Sequence, residues 1–166
     1  MSSEQSPASS SESSPKFVFS KEGKVSVWFS TVPYDEVDEV YFEANDAGQE
    51  LWMRNFHITD VDVENLELNG VETGLGDIME ILAPCSYSSG YASLVEHKIK
   101  KMGETNIGWM LLIFDYEYRP KKTKIYKDDT MFYVGSYPYD MDDQSLVEAP
   151  EGGWFVAISA QPACHL

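Results

Sequence analysis

The side chains best equipped for chemistry are two cysteines and three histidines, and their spacing supports no reaction. A nucleophilic cysteine needs a base in contact with its thiol. Cys85, in Cys85-Ser86-Tyr87-Ser88, has His57 and His97 only at a distance in sequence, and nothing local marks it as activated. Small buried cysteines are common core residues, so a hydrolase built on Cys85 is the weakest functional reading. Cys85 and Cys164 form no metal-ligand or redox motif, and the histidines show no zinc spacing. Asp140-Met141-Asp142-Asp143 looks like the start of a calcium loop, but the glycine that an EF-hand places sixth is missing. A solvated acidic turn is the simpler reading. Gly74-Leu75-Gly76 lacks the third glycine and the clear preceding strand of a phosphate-cradling loop. The cations between Arg119 and Lys127 could meet phosphate, yet the charge around them opposes nucleic acid, and a solvated hairpin loop explains them. No catalytic residue, metal or cofactor is expected.

What remains is charge. The chain carries 28 acidic residues against 12 basic ones, a formal net charge of −16. Such a balance repels nucleic acid and anionic membranes and attracts basic partners, although solubility alone is the bland explanation. The acids are segregated: Asp35 to Glu80 holds fourteen of them with Arg54 as the sole base, while Glu96 to Lys127 holds four acids and eight bases. Asp128 to Leu166 then holds seven acids and no base. Aromatics lie among them, at Tyr34, Tyr41, Trp52, Tyr87, Tyr137 and Tyr139. Carboxylates that speed encounter and aromatics that hold a complex together suit an interface with a basic protein. The expected contact residues are Asp35, Glu36, Asp38, Glu39, Glu43, Trp52, Asp60, Asp62, Glu64, Tyr87, Tyr137 and Tyr139.

The elements that must position these groups follow from periodicity. Trp109 to Phe114 is the longest apolar run, followed by alternation through Asp115, Tyr116, Glu117 and Tyr118. The run predicts a central strand buried on both faces whose far half emerges at an edge. Lys24 to Ser30 predicts a strand, and Thr130 to Ser136 a hairpin partner of the central strand. Val37, Val40, Tyr41 and Ala44 fall at helical spacing, with Asp35 and Glu36 in the first turn. Helices are also predicted over Glu50 to Phe56, over Gly74 to Leu82, and from an N-cap at Ser88 or Ser89 to a stop at Gly103. The last of these would place Tyr91, Leu94, Val95, Ile99 and Met102 on one face. Asp60 to Leu68 fits either strand or helix. Trp154 to Ile158 reads as a last strand. The order predicts an α+β fold, a mainly antiparallel sheet with helices packed on one face.

With 166 residues, one domain is expected, residues 17–166, preceded by a disordered Ser-rich tail, residues 1–16. No secretory signal is visible and no run approaches the roughly 20 apolar residues of a membrane span, so a cytoplasmic protein is expected.

Certain blocks resemble the immunity protein 22 family: Val25-Ser26-Val27-Trp28-Phe29 ahead of an acidic segment ending in Tyr41, and the Ser86-Tyr87-Ser88 turn. Asn106 leading into Leu111 to Tyr118, and Phe132-Tyr133-Val134-Gly135-Ser136-Tyr137-Pro138-Tyr139, are similar to its later blocks. Together these span most of Lys24 to Tyr139. The resemblance implies an antidote in a bacterial polymorphic-toxin system, a non-enzymatic protein that binds and blocks a cognate toxin. It implies no particular contact residues. Taken with the charge, it points to a basic toxin, and a nuclease fits that charge. A general intracellular interaction domain without a toxin partner is the alternative.

Overall fold

Six strands, β1 (Ser20–Ser30), β2 (Leu66–Gly70), β3 (Gly76–Asp77), β4 (Asn106–Ile107), β5 (Trp109–Tyr116) and β6 (Phe132–Pro138), are found in a computed structural model that describes residues 17–147. Four of them form an antiparallel sheet in the order β2-β5-β1-β6, while β3 and β4 form a separate ladder. The helices are α1 (Leu51–Asn55), α2 (Ile78–Leu82), α3 (Ala92–Lys101) and α4 (Pro120–Thr123).

Alternation along β1 and β5 sorts their side chains into two cores. Val25, Val27 and Phe29 join Met110, Leu112 and Phe114 against α2 and α3. Trp28 joins Trp109, Leu111 and Ile113 against Trp52, Met53 and Phe56 of the α1 region. The apolar run at Trp109 is therefore a strand buried on both faces, as its pattern predicts. The α+β class and antiparallel sheet are those expected, with α2 and α3 on one face. The opposite face has a cover of its own, α1 and the short turns around Tyr41.

Several local expectations give way. Asp35 to Ala44 is not an α-helix but two 3-10 turns, Tyr34–Glu36 and Glu39–Phe42. Val37 and Asp38 between them are extended, and the Asp38 carboxylate accepts the Val40 N–H at 3.1 Å. An aspartate that binds a nearby N–H competes with helix hydrogen bonding. Val40 and Ala44, half of the supposed apolar stripe, are exposed. Neither Ser88 nor Ser89 caps α3, because their hydroxyls accept the N–H groups of Leu146 and Gln144. The buried face of α3 is Ala92, Val95 and Ile99, while Leu94 is 52% exposed. Gly103, at φ +98°, does mark the stop.

In the stretch left open, Val63–Asn65 is a 3-10 turn and β2 follows. Only the second half of Gly74 to Leu82 is helical, because Asp77 caps α2 through the N–H groups of Met79 and Glu80. β6 is not the hairpin partner of β5. Both sides of β5 are already taken by β1 and β2, so β6 pairs with the far side of β1. β5 is paired on both sides only as far as Ile113; Phe114 to Tyr116 run past the end of β2 with β1 on their other side. The Ser-rich segment, residues 1–16, and the strand expected at Trp154 to Ile158 lie outside the described residues.

The two cores meet at a break in phase. In a regular strand Phe114 and Tyr116 would share a face, yet Phe114 packs in the first core and Tyr116 in the second. Asp115 between them sits at φ +58°, and β1 answers with a bulge, Ser20 opposing Tyr116 and Val25 opposing Phe114. Gly23, at φ +82°, lies within that bulge and donates its N–H to Asp115 Oδ1 at 2.9 Å. Ser26 serves the backbone beyond the break. Its buried hydroxyl donates to the Tyr116 carbonyl at 2.8 Å and accepts the Tyr118 N–H at 2.9 Å. Replacing Ser26 by Ala would leave both groups buried and unpaired. Ser26→Ala should lower unfolding free energy by about 1–3 kcal/mol, read as a lower urea midpoint with an unchanged slope.

Candidate functional site

Where β2, β5 and the segment after β6 converge, the chain forms a cleft of about 220 Å³. Three carboxylates line it: Glu64 from the 3-10 turn, Glu67 from β2 and Asp115 from the end of β5. Hydrogen bonds fix their positions. The Asp62 carboxylate accepts the Glu64 N–H at 3.0 Å, and Glu67 Oε2 accepts the Ser86 N–H at 3.2 Å. Asp115 Oδ1 accepts both the Gly23 N–H and the Tyr139 hydroxyl, the latter at 2.7 Å.

The other wall is aromatic. The Tyr87 and Tyr139 rings lie 5.3 Å apart, and each stands edge-on to Phe114, at 5.6 and 5.1 Å. Tyr87 reaches this position from a left-handed backbone, φ +58°, just ahead of the turn that leads into α3. Burial pushes the Glu67 carboxyl above its ordinary range, against the opposing effect of its bond to Ser86. Burial, reinforced by the bond to Asp115, likewise holds the Tyr139 phenol protonated. Carboxylates at the base of an aromatic wall offer a cation both charge and π-faces.

Of the residues expected from sequence, Glu64, Tyr87 and Tyr139 meet here. Asp35, Glu36, Glu39, Glu43 and Asp62 are exposed away from the cleft lining. Asp38 lines a second depression of about 500 Å³ that also contains Asp128 and Asp129. Tyr137 is half-buried against the first core. Two expectations are corrected by burial and bonding. Trp52 is 1% exposed and donates its indole N–H to Glu50, so it packs rather than presents a surface. Asp60 uses both oxygens internally, accepting the N–H groups of Phe19 and Ser20 and the Tyr116 hydroxyl at 2.6 Å.

Glu67, Asp115 and Asp128 escaped the sequence reading. Asp128 accepts the Tyr41 hydroxyl and the Asn55 amide, tying the acidic turns to the loop before β6. No spacing rule links residues so distant. For Glu67 the only sign was a carboxylate inside an apolar stretch that fitted no single period.

Cys85 is fully buried, its sulfur beside the Asn69 amide and the Ile81 carbonyl, and burial pushes its thiol far above the ordinary range. A thiol in that state is no nucleophile. The carboxylates of Asp140 and Asp143 accept N–H groups of their own turn. Among the described residues no group of three or more His, Cys, Asp or Glu could hold a metal ion, and no helix is long and apolar enough to cross a membrane.

Two outcomes follow from these burials. In the folded protein Cys85 should resist iodoacetamide and become labelled on unfolding in urea, as peptide mass spectrometry would read. Glu67 holds its proton more tightly folded than unfolded, so its contribution is lost as pH rises from the unfolded carboxyl range through its raised titration. Glu67→Gln, neutral at every pH and still able to accept the Ser86 N–H, should therefore raise the urea midpoint at neutral pH. The gain should shrink as pH falls below about 4.

Comparison with curated proteins and with solved structures gives no match. A family description does match, over residues 25–140, which spans the sheet from β1 to the end of β6 and includes every residue lining the cleft except Met141. That family is named Immunity protein 22. The chain belongs to the immunity protein 22 family.

Proposed function

We propose that this protein is an antidote that binds a cognate basic toxin, a nuclease being one class that fits, and blocks it by covering the toxin's active site. The observation that carries the reading is the cleft of Glu64, Glu67 and Asp115 walled by Tyr87, Tyr139 and Phe114. It supplies a socket for one lysine or arginine of the toxin. The exposed carboxylates at Asp35, Glu36, Asp38, Glu39, Glu43 and Asp62 supply the field that draws a basic surface in.

Binding and protonation are coupled in this scheme. A cation entering the cleft favours the ionised form of Glu67, so complex formation releases a proton where Glu67 is still protonated. Affinity then falls as pH drops through the raised titration of Glu67.

Co-expression tests the biological part: the protein should protect bacteria from one basic toxin recovered on the immobilised chain, and not from unrelated toxins. Capture of a harmless partner instead would favour a general interaction domain. For the interface, replacing Asp35, Glu36, Asp38 and Glu39 by Lys should slow association with that toxin about tenfold or more and flatten its salt dependence. Unchanged affinity and salt slope would remove the acidic surface from the interface.

A further inference from the structure

The acidic chain also gathers its cations. A groove of about 650 Å³ runs beside β6, and Lys98, Arg119, Lys121 and Lys122 line it with Glu117 as the one carboxylate. Lys98 comes from α3 and the others from the α4 region, so the fold brings together bases more than twenty positions apart. Glu117 is already engaged by Arg119 at 3.1 Å and by Lys24 at 3.9 Å. Lys121 and Lys122 make no ion pair among the described residues. Tyr126, also in the lining, is 57% exposed.

The opposite wall of the groove is the end of β6. β6 is the end strand of the sheet, and Val134, Gly135 and Ser136 face the groove with no strand beyond them among the described residues. Tyr133 N–H is taken by the Tyr126 carbonyl and the Val134 carbonyl by Lys98 Nζ at 3.0 Å. The Lys98 bond comes from a flexible side chain that an incoming strand can displace.

We propose that this groove is a second docking surface, and that its occupant is an extended acidic segment of a protein partner. The chain's own Tyr126 and Lys127 already fill the outer edge at Phe132 and Tyr133, so such a segment would add as a strand along β6 beyond Tyr133, with carboxylates on its α4 side meeting Lys121, Lys122 and the freed Lys98. A nucleic acid carries charge along its whole length and would meet the net −16 of the chain outside the groove, whereas a short acidic segment ends where the cations end. The inference does not depend on the partner's being a toxin.

The probe is a short peptide alternating Glu with Thr, titrated into the full chain and followed by amide NMR shifts. Shifts should map to Lys98, to α4 and to residues 134–136, and should weaken with salt. K121E/K122E should lower the peptide's affinity about tenfold, the worth of two exposed ion pairs reversed. K121Q/K122Q should give a smaller loss, and circular dichroism should show both variants folded. Four results would overturn the proposal. Two are the absence of shifts along β6 and an affinity that K121E/K122E leaves unchanged. Another is tighter binding of a single-stranded oligonucleotide at the same residues, which would make the groove a polyanion site. The last is self-association of K121E/K122E with peptide binding unaltered, which would mean the lysines only guard the strand edge.

Discussion

The antiparallel pairing of β1 and β5 sets the terms for everything else in this protein. Both strands lie inside the sheet and present apolar side chains to both faces, so each face needs its own cover. α2 and α3 provide one cover, and α1 with the short turns around Tyr41 provides the other. An unpaired charge in such an interior costs several kcal/mol. Among the described residues no aspartate or glutamate is fully buried, and those drawn inward, such as Glu67 and Asp60, are hydrogen-bonded. The concentration of carboxylate on the surface is thus a consequence of how the core is built as well as of composition.

Asp115 links that constraint to the cleft. Its left-handed backbone shifts the phase of β5 and sends Tyr116 into the second core. Its carboxylate fixes Gly23 in the opposing bulge and Tyr139 in the cleft wall. One residue thereby ends the regular ladder, turns the strand between two cores and supplies a cleft carboxylate. Bulges re-aim side chains where a ladder must end, and here the bulge turns Asp115 into the cleft lining. The strain of a non-glycine residue at positive φ is offset by the two hydrogen bonds that the position makes available.

Much of the fold was legible in the chain. The unbroken run Trp109 to Phe114, the β-branched alternation from Lys24, and the apolar positions of α3 with Gly103 as its stop each carry a local physical signal. The failures are instructive. Helical spacing at Val37, Val40, Tyr41 and Ala44 was overridden because Asp38 satisfies a nearby N–H with its own carboxylate. Adjacency suggested that β6 would pair with β5, but a strand has only two edges, and β1 and β2 already occupy them. Trp52 and Asp60 looked like surface groups because an aromatic or a carboxylate in an acidic stretch is indistinguishable in sequence from an exposed one. Burial and the Tyr116 bond give them other roles.

The sequence by itself determined the α+β class, the central strand, the family and the net charge, because each depends on composition, short-range period or the order of blocks along the chain. Only the tertiary structure decided which carboxylates share a cleft. Glu64, Glu67 and Asp115 are joined with Tyr87 and Tyr139 across as many as 75 positions, and Lys98 with Lys121 and Lys122 across more than twenty. Charge and π-contact act over a few ångströms of space, and the distance along the chain carries no record of them until the sheet has closed.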